Sequence, residues 1–199
     1  MFFYCTNLTE LNISNLNTSK VTNMYAMFSR CENLEYVDLC DFNTESVTNM
    51  GEIFAYCYNL KELDLSNFNT SKVTDMRFMF YKNALLTTIY VSDEWTIDKV
   101  TDDTLMFDGC TSLKGAVEYN PSKINKSMAN TTTGYLTLKT YLDYLISEKT
   151  LTSFAKKIRK ISNSSDKLTV DEMLDILNNI QVVAIDDEAG TVNLSLALK

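Results

Sequence analysis

The chain has no histidine, which removes the nucleophilic triads built on imidazole and the zinc sites that combine it with cysteine. Only one of its 199 residues is proline and five are glycine, so neither a collagen-like repeat nor a Pro/Gly-rich disordered tract is present. No run approaches the roughly 20 consecutive apolar residues of a membrane-spanning helix. No basic segment followed by an apolar stretch opens the chain either. Cations are scarce where the chain is most patterned: residues 1–113 hold 7 Lys and Arg against 16 Asp and Glu, and residues 114–199 hold 11 against 10. Binding to nucleic acid or an anionic membrane relies on Lys and Arg neutralising phosphates, so the acidic first part points away from both.

What fills that first part is a repeat. Cys5, Cys31 and Cys57 lie 26 residues apart, as do Phe28, Phe54 and Phe80, and residues 65–74 echo residues 13–22 almost letter for letter. A period of about 20–29 residues is that of a leucine-rich solenoid. In residues 60–65 the apolar Leu63 and Leu65 alternate with polar neighbours, the pattern of a half-buried strand, with copies at 8–13, 34–39 and 86–91. Asn-Thr-Ser or Asn-Thr-Glu follows, a turn and N-cap signal. Val73, Met76, Met79 and Phe80 then recur at a spacing that suits one or two inward-facing turns of helix. The expected fold is therefore an α/β solenoid of 26-residue coils, each a short parallel strand plus a short helix. Stacked coils align Leu11/Val37/Leu63/Ile89, Val21/Val47/Val73/Val100, Met24/Met50/Met76 and Phe28/Phe54/Phe80/Phe107 into core ladders.

Several features qualify that pattern. Cysteines stacked in parallel coils point the same way and keep their Cβ atoms at about the coil spacing, beyond the roughly 3.5–4.5 Å of a disulfide. Free packing thiols are expected, and without His or a C-x-x-C pair no metal and no cofactor is assigned. Residues 1–5 are in register with residues 27–31, so no capping unit is visible before the first coil. That coil is expected to be covered by a longer chain or by another subunit. The fourth repeat carries one extra residue within 92–96, and Trp95 aligns with Leu16, Phe42 and Phe68 as a core-capping side chain or a recognition residue.

The phrases Leu63-Asp64-Leu65-Ser66-Asn67-Phe68-Asn69-Thr70-Ser71-Lys72-Val73-Thr74-Asp75-Met76 and Met106-Phe107-Asp108-Gly109-Cys110-Thr111-Ser112-Leu113 resemble the BspA-like leucine-rich repeats of bacterial surface proteins and mycoplasma-type lipoproteins. The resemblance spans residues 1 to about 138, with Thr133-Gly134-Tyr135-Leu136-Thr137 similar to the segment that closes such arrays. It implies adhesion and binding rather than catalysis. The expected division is repeats over 1–113, a closing segment over 114–138, a helical hairpin over 139–180 and a β-hairpin tail over 181–199.

The hairpin expectation rests on Leu151, Phe154, Ala155, Ile158 and Ile161 at helical spacing, then Thr169 and Glu172 as a capping box before Met173, Leu174, Leu177 and Ile180. The acidic Asp171, Glu172 and Asp175 on the second helix argue against a DNA reader. Residues 147–159 and 166–173 resemble a short helical segment of phage tail and virion-associated proteins, which implies a virion location, where the BspA-like repeats imply an extracellular or cell-surface one.

Outward strand positions form the candidate binding face. Its rows are Glu10/Tyr36/Glu62/Thr88, Asn12/Asp38/Asp64/Tyr90 and Ser14/Cys40/Ser66/Ser92, with Glu10, Asn12, Tyr36, Asp38, Glu62, Asp64 and Tyr90 as the candidate contacts. Asp38 beside Asp64 places like charges on neighbouring strands, which is destabilising unless something neutralises them. A cationic group, a cation or a sugar hydroxyl would suit the site, and a solvated acidic face is the simpler account of it. Two nearby carboxylates would also suit a retaining glycosidase, but an open strand face lacks the desolvated cleft that keeps one of them protonated. The function expected is a non-enzymatic binding or structural module. Its setting is a phage virion contacting a host surface or neighbouring subunits or, alternatively, a bacterial adhesin contacting protein or glycan on a cell surface.

Overall fold

The computed structural model describes residues 1–13, 16–139, 180–186 and 192–198, the last two stretches as backbone. It divides into two compact units, Met1–Lys139 and Thr140–Lys199.

In the first unit strand β1 (Glu10–Asn12) pairs in parallel with β2 (Tyr36–Asp38), and β3 (Glu62–Asp64) with β4 (Thr88–Val91). The partners Leu11↔Val37 and Leu63↔Ile89 are each one period apart, so the sequence repeat is also the strand register. β5 (Thr137–Leu138) adds to the far edge of β4, and the ladder is divided between β2 and β3. A second parallel row of single bridges links Asn23, Asn49, Asp75 and Asp102. The extra residue of the fourth repeat is absorbed before Asp102, where the step lengthens from 26 to 27.

The expected α/β class is corrected by the third side of each coil. No α-helix occurs among the described residues, whose one helical element is the 3₁₀ turn Lys126–Met128. Where helices were expected, the chain makes consecutive four-residue turns, closed by Met27 N–H to Met24 C=O and Cys31 N–H to Phe28 C=O. The third residue of each turn is left-handed, at φ 52° for Ala26 and 62° for Arg30, as a type II turn requires. The same pair recurs at Glu52 and Tyr56, at Phe78 and Lys82, and at Leu105 and Gly109.

The physical reason is an alternative use of the backbone. Met24, Ala26, Phe28 and Arg30 donate their N–H groups to Asn49, Gly51, Ile53 and Ala55 of the next coil at 2.8–2.9 Å, where a helix would turn them back on itself. Left-handed L-residues cost about 1–2 kcal/mol each, and the ladder of intercoil bonds offsets that cost.

The core runs through the stack. Phe2, Phe28, Phe54, Phe80 and Phe107 form a column of parallel rings with centroids 5.4–6.3 Å apart, and Phe42 and Phe68 form a second column. At about 1.5–3 kcal/mol per buried large apolar side chain, these columns are a principal source of stability. Beside them runs a buried threonine ladder in which Thr18, Thr44 and Thr70 donate to the carbonyls of Asn43, Asn69 and Thr96.

Tyr135 closes the phenylalanine column edge-on at 5.3 Å from Phe107, with its hydroxyl donating to Lys123 C=O and accepting from Asn120 N–H. Gly134 is required beside it, because a Cβ there would lie 2.2 Å from Met128 O. Trp95 Nε1 donates to Ala129 C=O at 3.2 Å, tying the fourth coil to the closing segment.

In the second unit β6 (Ile180–Asp186) pairs antiparallel with β7 (Val192–Leu198). The expected helical hairpin falls almost wholly on residues 140–179, outside the described residues.

Candidate functional site

The parallel register fixes which strand side chains stand side by side. Glu10 pairs with Tyr36 and Glu62 with Thr88, and the outward row carries Tyr36 at 55% exposure. Tyr36 and Glu62 line an open depression of about 570 Å³ together with Glu35, Lys61, Leu85, Thr87 and Ser112. The neighbours Glu35 and Lys61 precede the strands, and Leu85, Thr87 and Ser112 come from the next coils, so the basin crosses the division between β2 and β3. Its chemistry is mixed: a phenol ring and an isobutyl group for apolar contact, two carboxylates and two hydroxyls as acceptors, and one ammonium.

The second expected row is arranged differently. Asn12 pairs with Asp38 and Asp64 with Tyr90, yet Asp38 is buried at 7% exposure. Its Oδ1 turns back to accept from Cys40 N–H, and Asn67 lies across the adjoining backbone, donating from Nδ2 to the carbonyls of Leu39, Cys40 and Phe42. Asp64 stays at the surface, where Oδ1 accepts from the Ser66 N–H and hydroxyl. Its Oδ2 is ion-paired with Lys139, whose ammonium also lies 6.0 Å from the centre of the Tyr90 ring. The chain thus supplies its own cation to the carboxylate. Glu10 and Asn12 are exposed at the first strand, and Ser14 lies outside the described residues.

All five cysteines are free, with Cys5 and Cys40 exposed and Cys31, Cys57 and Cys110 buried. Each buried thiol donates to the phenylalanine carbonyl of the preceding coil, Cys31 to Phe2, Cys57 to Phe28 and Cys110 to Phe80. Asn83 takes the same place in the remaining coil, donating from Nδ2 to Phe54 C=O and accepting from Cys57 N–H, both at 2.8 Å. Burial raises the pKa of all three thiols, that of Cys110 to about 12. Among the described residues no group of three His, Cys, Asp or Glu side chains is placed to hold a metal ion.

A surface that the outward-strand logic misses lies on the turn side. Tyr25 donates to Glu52, and Arg77 reaches both Asp75 and Asp102 at 3.6 Å. The Glu52 bond raises the Tyr25 phenol pKa, and bonds from the Thr104 side chain and backbone lower that of Asp102. Next to this cluster, Tyr56 and Tyr81 stack against the cations of Arg30 and Lys82. The sequence signal for it was the charged or aromatic residue one place before each Cys31-type position.

The comparisons with known proteins are narrow. A family model described as "Mycoplasma protein of unknown function, DUF285" matches residues 1–131. That span falls within the BspA-like stretch and is consistent with a surface-repeat protein. No curated protein and no solved structure matches the chain.

Proposed function

We propose, for a chain that belongs to the Mycoplasma family of unknown function DUF285, a non-enzymatic role as a surface binding module that holds a neutral saccharide in the strand-side depression. The observation that carries this reading is the joining of the exposed Tyr36 ring and Leu85 to Glu35, Glu62, Thr87 and Ser112 around one open basin. A flat ring next to several hydrogen-bonding groups suits a sugar, which has both C–H faces and hydroxyl edges.

The non-enzymatic part is supported by the fate of the two aspartates that could have formed a glycosidase pair. Asp38 is buried against the backbone and Asp64 is bound to Lys139 and Ser66, so this pair does not stand open as acid and base. Of the two settings, membership of a surface-repeat family favours the cell surface. The virion setting rests on residues 147–173, which lie beyond the matched span and outside the described residues.

The test is a titration of the full chain with a panel of neutral oligosaccharides. A saturable ligand whose affinity falls about tenfold in Tyr36→Ala, a size expected for loss of a central aromatic contact, supports the assignment. Absence of any ligand, or equal binding by Tyr36→Ala, refutes it.

A further inference from the structure

The second left-handed position carries, in order through the first four coils, Tyr4, Arg30, Tyr56 and Lys82, so ring and cation alternate down one column of the turn side until Gly109 ends it. The Arg30 guanidinium lies over the Tyr56 ring at 4.1 Å from its centre. Tyr58 and Tyr81 hold that ring edge-on, with centroids at 6.2 and 5.2 Å. Tyr4 and Tyr58 are 60% and 40% exposed.

The two cations differ in what they have to spare. Lys82 is paired with Asp108 at 2.8 Å, whereas among the described residues Arg30 enters no ion pair. Stacking engages the face of a guanidinium and leaves its in-plane N–H fork, whose geometry matches a carboxylate bidentately. Tyr56, half-buried and held edge-on by Tyr58 and Tyr81, keeps the group in place, so little side-chain freedom is lost on binding.

We propose that Arg30, backed by Tyr56 and flanked by Tyr4 and Tyr58, is the docking point for a carboxylate-rich polypeptide segment of a partner protein. Tyrosine and arginine clustered around a fixed centre are the composition of protein-binding hot spots. Charge adds the specificity. Glu35 and Glu62 line the strand-side basin and repel an acidic segment there, whereas Arg30 has no ion-pair partner among the described residues and attracts it. The two faces then take partners of different chemistry.

The experiment measures fluorescence anisotropy of a labelled oligoglutamate with the full chain, with polygalacturonate as the carboxylated saccharide and oligolysine as the charge control. Arg30→Asn is the variant, because asparagine accepts the left-handed backbone at this position. Arg30→Lys keeps the charge without the fork and carries the test if Arg30→Asn melts early. The expected result is salt-sensitive oligoglutamate binding that weakens about tenfold in Arg30→Asn, less in Arg30→Lys, and is unchanged in Tyr36→Ala. Failure of oligoglutamate to bind, equal binding by a folded Arg30 variant, or a preference for polygalacturonate overturns the proposal. Loss of saccharide binding in Tyr36→Ala reports only on the strand-side basin and is read separately.

Discussion

On the strand side of each coil, Glu62–Asp64 lies along Thr88–Val91 with Leu63 and Ile89 inward and the polar residues outward, the ordinary alternation of a parallel ladder. On the turn side Met50, Glu52, Phe54 and Tyr56 also bond to the next coil through every second residue, donating to Asp75, Arg77, Met79 and Tyr81. The difference is in the residues between. Extended residues separate the bonds on the first side, and left-handed corners at Glu52 and Tyr56 separate them on the second. A stack of parallel coils can thus satisfy its backbone between neighbours on both sides, and the turn side does so by storing conformational cost in its corners.

The largest effect confined to the turn side is expected at Asn83. Asn83→Leu keeps the volume of a buried side chain but leaves Phe54 C=O and Cys57 N–H without their partner. Each orphaned buried group costs about 1–3 kcal/mol, so a loss of about 3 kcal/mol in urea unfolding is expected. Asn83→Cys, which restores the thiol of the other coils, is expected to lose about 1 kcal/mol. Equal losses in the two variants would mean that the ladder of side-chain donors contributes little.

A smaller effect separates the sides by pH. The folded chain holds the Cys110 proton up to about 12, against 9.0 for the ordinary thiol, and burial also raises Cys31 and Cys57. A raised pKa means that the stabilisation is complete below the unfolded value and declines as pH rises through the folded one. Stability should therefore fall progressively above about pH 9. The fall should be shallower in Cys57→Ser, whose hydroxyl keeps the donor without titrating. In the native protein an alkylating reagent should modify Cys5 and Cys40 and spare the other three.

These residues also show what could be read before the structure. The pairing of Leu11 with Val37 and of Leu63 with Ile89 follows directly from the 26-residue period, because identical positions in successive coils must align. The short helix did not survive for an equally simple reason. Met24, Met27, Phe28 and Cys31 are spaced by three, one and three residues, and two successive four-residue turns bury the same set as one helical face does. Pattern alone does not separate them, and the left-handed residues include Ala26, Arg30, Glu52 and Tyr56, with a glycine, the usual turn signal, only at Gly109.

The candidate face was legible in part. Tyr36 and Glu62 line one basin, and the alternation placed both outward. Asp38 shares that alternation and is nevertheless buried, since Asn67 from the next coil binds the backbone on which it sits. Lys139 pairing with Asp64 links residues 75 apart, which no local pattern encodes. The Arg30 and Tyr56 stack was missed because outward positions were sought on strands alone.

The smallest expected effect is also the most direct test of the central claim that the turn side is a ladder of left-handed corners. Ala26 is a small side chain at φ 52° with its N–H bonded to Gly51 C=O. Ala26→Gly relieves the corner and should raise unfolding stability by about 0.5–1 kcal/mol, with the backbone hydrogen bonds of residue 26 unchanged. In a helix the same substitution removes about 0.8–1 kcal/mol. A measured gain agrees with the turn ladder, and a loss of about 1 kcal/mol would contradict it.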